Sequence, residues 1–243
     1  MRVLIAYISV VSVMFLASCK REEKETPKKV IYEEVKSTAV KEEKKVDTSS
    51  IKIADLPILM DGTKYLIHPV GDVRVYDDYS RVYGSSKTNQ VSYAISNYNR
   101  FELTGYFENL KFQHIDSTAI HSLTDTKMQI QTVTYLNTIA EKFKKHVLVY
   151  TLVDHDTNKD GKIDQNDIKS LYLSNIDGTQ FTKVSEDYNE LIDWNIIEPQ
   201  KRLYLRSIED INKNGAFDKK DKVHYHFVDL LADEWKAEEY MPI

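Results

Sequence analysis

From Ile51 onward the chain alternates short apolar runs with clusters of Asn, Asp, Gly or Lys. The runs are rich in Val, Ile, Tyr and Phe and have period two, the pattern of strands separated by turns. Strands are expected over Lys64 to Val70, Val91 to Ile95, Leu110 to Ile115 and Met128 to Leu136. Four more are expected over His146 to Val153, Ser170 to Ile176, Arg202 to Ile208 and Val223 to Leu230. Between Thr134 and Lys145, Leu136, Ile139, Ala140 and Phe143 fall near helical spacing, so the middle of that stretch is expected as one short helix. The 16 tyrosines suit half-buried pleated surfaces, where the ring is covered and the hydroxyl stays wet. The expected fold is mostly β, made of antiparallel sheets.

The N-terminus has a different pattern. Met1 and Arg2 precede an almost unbroken apolar run from Val3 to Leu16, the layout of a secretory signal and too short for a comfortable membrane span. Leu16-Ala17-Ser18-Cys19 follows and resembles the lipobox of bacterial lipoproteins. That resemblance implies cleavage of residues 1–18 as a signal peptide, lipidation of Cys19, and attachment to the membrane through the lipid anchor. Lys20 stands where enterobacterial lipoproteins retained at the inner membrane carry aspartate, so the cell outer membrane is the expected location. Cys19-Lys20-Arg21-Glu22-Glu23 looks like the charged export signal of some surface-exposed lipoproteins.

From Lys20 to Ser50, 17 of 31 residues are charged, signs are mixed and no apolar stripe persists. Such a segment buries too little surface to offset chain entropy, so residues 19–50 are expected to be a flexible tether with a reach of roughly 30 Å. A short charged helix over Val30 to Lys45 is the alternative, given its Glu and Lys content. Residues 51–243 are expected to form the β domain.

Composition narrows the chemistry. In 243 residues the formal charge is -5, with no basic excess to displace counterions from a phosphate backbone, which argues against nucleic acid as a partner. A single cysteine excludes a disulfide framework and a Cys-built zinc site.

Two loops carry a metal pattern. The first, from Asp156 to Asp167, places Asp156, Asn158, Asp160, Asp164 and Asp167 at positions 1, 3, 5, 9 and 12, with Gly161 at position 6 and the main-chain carbonyl of Lys162 at position 7. The pattern recurs 54 residues later with Asp210, Asn212, Asn214, Asp218 and Asp221, Gly215 at position 6 and the carbonyl of Ala216 at position 7. Alternate side chains of the first half converge on one point, glycine permits the sharp turn, and position 12 closes the cage. A hard cation wanting six to eight oxygens suits that set, so two Ca²⁺ sites are expected. An Asx-rich β-turn without metal is the alternative for each loop. Asp154 is expected to be a flanking charge, because a register starting there would put Lys159 at the glycine position.

Both loops resemble EF-hand loops and depart from them in two ways. Position 12 is aspartate, one methylene shorter than the usual glutamate, which implies modest affinity and tolerance of Mg²⁺. Strands rather than helices are expected on both sides, so the loops resemble calcium hairpins of bacterial extracellular proteins more than helical sensors. Dockerins share the aspartate at position 12, but the 54-residue spacing is too long for their compact pair. Leu171 to Ser185, with its Asp177-Gly178 turn, looks like a blade hairpin of TolB-type periplasmic propellers. Tyr225 to Trp235, followed by Lys236 to Tyr240, follows that outline without the Asp-Gly turn, and Asn109 to Thr124, ending in Ser122-Leu123-Thr124, is the candidate third unit. Residues 51–243 supply about three such units, fewer than a closed propeller needs, so an open or irregular stack of blades is the alternative.

Other candidates carry less. His224 and His226 share one face of a strand and could present two imidazoles to a metal; the competing expectation is a solvated face with Tyr225 and Phe227 inward. Trp194 and Trp235 could stack on a sugar, against a reading as core aromatics. No GxSxG, HExxH or P-loop pattern occurs. The leading expectation is therefore a non-catalytic, lipid-anchored, calcium-stabilised β module of the cell envelope, with a structural or binding role toward an envelope protein or glycan. An envelope hydrolase acting on glycan or peptide through residues with no linear motif is the alternative.

Overall fold

The computed structural model describes residues 27–32, 51–76 and 90–243. The signal segment 1–18, Cys19 and the rest of the tether lie outside the described residues. Strands β1 (Lys52–Ala54), β2 (Ile58–Leu59), β3 (Tyr65–Asp72), β4 (Arg74–Tyr76), β5 (Gln90–Ser92), β6 (Ser96–Asn99), β7 (Glu102–Phe107), β8 (Asn109–His114), β9 (Ile120–Ser122) and β10 (Gln129–Tyr135) come first. Helix α1 (Asn137–Phe143) follows, then β11 (Val147–Val153), β12 (Lys169–Asn175), β13 (Thr182–Lys183) and β14 (Asn189–Ile197). A 3₁₀ turn, Glu198–Gln200, leads to β15 (Arg202–Glu209), β16 (Lys222–Asp229) and β17 (Ala237–Glu239).

These strands make three antiparallel sheets and a small β4–β5 ribbon, and none of the sheets closes into a barrel. The first runs β1-β3-β8-β9, with β2 also on β3; the central one β13-β12-β11-β10-β7-β6; the third β14-β15-β16-β17. One core lies between the first and central sheets, where Ile67, Leu110 and Phe112 meet Phe107, Ile130, Leu148, Tyr150 and Leu152. A second core lies on the other face of the central sheet, where Val147, Val149, Leu171 and Leu173 meet Leu191, Leu203, Leu205 and Val228. Strand β11 is therefore covered on both faces, which is why it reads Val-Leu-Val-Tyr-Thr-Leu-Val instead of alternating with polar residues. Each fully buried Leu or Val there contributes about 1.5–3 kcal/mol of transfer free energy.

The C-terminal part is a repeated unit. Strand β10, helix α1, β11, an acidic loop, β12 and β13 correspond in order to β14, the 3₁₀ turn, β15, an acidic loop, β16 and β17. Each first strand also carries one bulge, between Ile130 and Thr132 and between Leu191 and Asp193.

Seven of the eight expected strands lie within a residue or two of their observed ends. The eighth, Val91 to Ile95, is shorter: β5 ends at Ser92, and Ile95 is a loop residue buried in the first core, its amide donating to Asp55 Oδ1 at 3.1 Å. Strand β14 was not expected. Its bulge swaps the faces midway, so Asn189-Glu-Leu-Ile-Asp-Trp-Asn-Ile-Ile197 shows no clean alternation. Among the described residues no helix is long and apolar enough to cross a membrane.

Candidate metal centre

The first acidic loop joins β11 to β12 in the central sheet, and the second joins β15 to β16 in the third. Both follow the same hydrogen-bond scheme. At position 1, Asp156 accepts the amides of Asp160 at 3.1 Å and Gly161 at 2.7 Å; Asp210 accepts those of Asn214 at 3.2 Å and Gly215 at 2.6 Å. At position 3, Asn158 and Asn212 each accept the amide two residues on, at 2.9 and 3.0 Å. Asp160 and Asn214 do the same at position 5, at 2.8 and 2.7 Å, and Asp164 and Asp218 at position 9, at 2.8 and 2.7 Å. Position 12 closes the ring: Asp167 Oδ2 accepts from Asp164 N–H at 3.0 Å, and Asp221 Oδ2 from Asp218 N–H at 2.8 Å. Position 4 is left-handed in both loops (Lys159 φ 59°, Lys213 φ 54°), as is the glycine at position 6 (Gly161 φ 85°, Gly215 φ 84°).

A carboxylate offers about four lone-pair sites in all. Asp167 already accepts four donors, the Thr157 and Asn158 amides and the Thr157 hydroxyl at Oδ1 and the Asp164 amide at Oδ2, whereas Asp164 and Asp218 each accept one, so a cation would draw first on the carboxylates other than Asp167. Among the described residues no three His, Cys, Asp or Glu side chains gather into a ready-made metal cage. The loop sets instead mix carboxylates with the amide oxygens of Asn158, Asn212 and Asn214 and the carbonyls of Lys162 and Ala216. All of these donors are oxygens, and that chemistry fits a hard cation such as Ca²⁺.

Asp154 lies outside both ligand sets, just after β11, and ties that end of the strand to β12 and β13 through Tyr172 and Lys183. It is 6 % exposed, receives Lys183 Nζ at 2.8 Å and the Tyr172 hydroxyl at 2.7 Å, and faces His155 Nδ1 at 3.1 Å. Burial alone would push its carboxyl up, but Lys183, Tyr172 and His155 outweigh it and hold the group below the usual carboxylate range. The same contact, after burial, drives the Tyr172 phenol far above its ordinary value.

The described part of the presumed tether departs from the expectation. Residues 27–32 are not free chain; they cross both loops. Lys29 and Val30 donate their amides to Gly215 O at 2.6 and 3.2 Å, and Ile31 donates to Thr157 O at 3.0 Å. The Thr157 hydroxyl donates back to Lys29 O at 2.7 Å. Val30 is 2 % exposed, Lys29 Nζ pairs with Glu190 at 2.8 Å, and burial, then the charge of Asp210, pushes the Tyr32 phenol up to about 12. Beneath this crossing Asp167 is 1 % exposed and Asp210 3 %. Sequence reasoning missed Val30, Tyr32, Thr157 and Glu190. The one local signal was the triplet Val30-Ile31-Tyr32 inside a charged stretch.

The histidine pair is oriented opposite to the solvated face expected for it. His224 and His226 are buried on the Val228 face of β16, while Tyr225 and Phe227 are only half-buried on the other. His224 lies between Glu239, 2.9 Å from Nδ1, and Glu209, 2.9 Å from Nε2. Burial lowers its pKa, yet the two carboxylates outweigh burial and raise it above the ordinary value. Trp235 is core, its Nε1 donating to Leu230 O at 3.3 Å, and Trp194 packs partly buried against the second core. A separate cleft of about 370 Å³ lies between Arg100, Phe101, Tyr135, Lys144 and His146, with Asp61 and Glu141 on its rim. Its polar groups pair with one another: Arg100 with Asp61 at 2.9 Å, and the Tyr135 hydroxyl with His146 Nδ1 at 2.6 Å. Burial, then the charge of Glu141, pushes the Tyr135 phenol up to about 12.

Compared with known proteins, the chain matches no family model, no curated sequence and no solved structure.

Proposed function

We propose that this chain is a lipid-anchored protein of the cell envelope, held at the outer membrane through Cys19, whose β domain is stabilised by calcium at two loops. Its role is structural or binding, toward an envelope protein or glycan. The observation that carries the reading is the duplication of one hydrogen-bond scheme, position by position, on equivalent hairpins of two sheets. Asp156, Asn158, Asp160, Lys162 O, Asp164 and Asp167 would hold the first ion; Asp210, Asn212, Asn214, Ala216 O, Asp218 and Asp221 the second. A bound cation would neutralise carboxylates that otherwise repel one another and loosen both hairpins. Mg²⁺ could substitute, given the short aspartate at position 12. The meanders β10 to β13 and β14 to β17 support a likeness to propeller blades.

Extracellular calcium modules bind at about 0.1–1 mM, and tenfold excess over such a constant stabilises a fold by about 1.4 kcal/mol per site. For a domain of this size that is a rise of about 3–6 °C in Tm per site. The test is melting in EDTA and then in calcium for the wild type, Asp156→Ala and Asp210→Ala, with membrane fractionation of Cys19→Ser alongside. Each loop variant should lose one ion and part of the rise, and Cys19→Ser should leave the membrane fraction. An identical Tm in every condition would return the loops to plain turns, and unchanged membrane partitioning of Cys19→Ser would remove the lipid anchor.

A further inference from the structure

The segment that lies across both loops touches each through a main-chain carbonyl of the loop itself. Gly215 O, at position 6 of the second loop, accepts two strap amides, and Thr157 O, at position 2 of the first, accepts a third. The return bond from the Thr157 hydroxyl to Lys29 O fastens the strap to the first loop a second time. The single proton of that hydroxyl is shared between Lys29 O at 2.7 Å and, at the longer 3.2 Å, Asp167 Oδ1, while its oxygen accepts the amide of Ile168 at 3.0 Å, so it stands between the strap and the closing carboxylate of the loop. On the other side, the charge of Asp210, the opening carboxylate of the second loop, adds to burial in raising the pKa of the Tyr32 phenol. The fit at Gly215 is close: a Cβ there would stand 2.2 Å from Val30 O, so the strap passes only because position 6 carries no side chain. Val30 is buried between the loops with its neighbours held on both sides.

We propose that residues 28–32 form a calcium-dependent strap that couples the two loops. The inference rests on the calcium reading above. A strap held by loop carbonyls docks well only when those carbonyls are held in place. Without metal, three or four carboxylates crowd each loop and their repulsion spreads it, so the acceptors at Thr157 and Gly215 lose their spacing. Filling one loop restores its half of the seat, and the docked strap then organises the other. The two sites therefore bind with positive cooperativity, by the reciprocity that any such linkage obeys. Calcium withdrawal releases the strap.

Two measurements on the full chain test this. Hydrogen exchange of the strap amides Lys29, Val30 and Ile31 should slow at saturating calcium and speed up at least about tenfold in EDTA, as expected of a local opening governed by metal. Calcium titration calorimetry then asks for coupling: Asp210→Ala should weaken the first loop at least about fivefold in the wild-type background and leave it unchanged in a strap variant. Val30→Asp is the stronger strap variant; Ile31→Pro removes only the amide bonded to Thr157 O and serves if Val30→Asp does not fold. Equal strap protection with and without calcium overturns the proposal. So does an Asp210→Ala effect that is the same whether or not the strap is intact. If the wild type takes up no calcium, the functional reading itself fails; if it binds two ions with affinities the strap variants do not change, only the strap fails.

Discussion

Lys183→Met removes the counterion of a buried carboxylate and leaves the rest of its surroundings in place. Asp154 is 6 % exposed, and the Lys183 side chain is 21 % exposed, so water screens the pair little. Removing one partner of a buried ion pair costs about 3–5 kcal/mol, because a charge stays behind without compensation. Here Asp154 keeps the Tyr172 hydroxyl at 2.7 Å and His155 at 3.1 Å, and Lys183 also serves the exposed Asp187 at 2.6 Å. The expected loss is therefore lower, about 2–3 kcal/mol. The double variant Asp154→Asn/Lys183→Met removes the charge as well and should lose less than about 1.5 kcal/mol. Urea unfolding followed by the fluorescence of Trp194 and Trp235 reads both, and the midpoint should fall while the slope stays constant. The pH dependence has a definite sign. The folded pKa of Asp154 is depressed, so its contribution is present above the unfolded value of about 3.9 and is lost as pH falls through the lower folded value. In Lys183→Met that acid loss should begin at higher pH. A loss below about 1 kcal/mol in Lys183→Met, or a double variant as damaged as the single, would refute the account of Asp154 as a buried charge held by Lys183.

Gly178 and Gly62 both have left-handed φ, +79° and +80°, but a Cβ on Gly178 would lie 2.5 Å from the buried Phe112 ring while Gly62 has nothing within 4 Å. Gly178→Ala should cost about 2–4 kcal/mol and Gly62→Ala only about 1 kcal/mol, and equal melting temperatures for the two would show that Phe112 yields freely. His224, held by Glu239 and Glu209, should titrate above 6.5 by NMR. Its contribution to stability is then fully present below the unfolded pKa and lost as pH rises through the folded one. A His224→Gln variant should lack that decline, and an imidazole titrating below 6.5 would overturn the assignment.

Local pattern determined a good deal by itself. Strand β11 is a run of seven residues with six apolar, helix α1 has its apolar residues at helical spacing, and the two loops carry oxygen side chains at alternate positions around a glycine. Each is a statement about neighbours in the chain, where the period of a strand, a helix or a turn acts directly on side-chain direction. The tertiary structure decided what those local rules leave open. Both faces of β11 are covered because a third sheet packs on the second, which no period within β11 can announce. The bulge in β14 exchanged its faces midway and hid the strand. His224 turned inward between Glu209 and Glu239, on the strands flanking β16, whose carboxylates favour its charged form despite burial, and His226 on the same face lies 3.6 Å from Glu186. The strap is the clearest case. Lys28 to Tyr32 sits in a stretch too charged to form a core, yet its carbonyls and amides find partners 126 to 186 residues away. Its place was settled by two loops that only the folded sheets bring side by side.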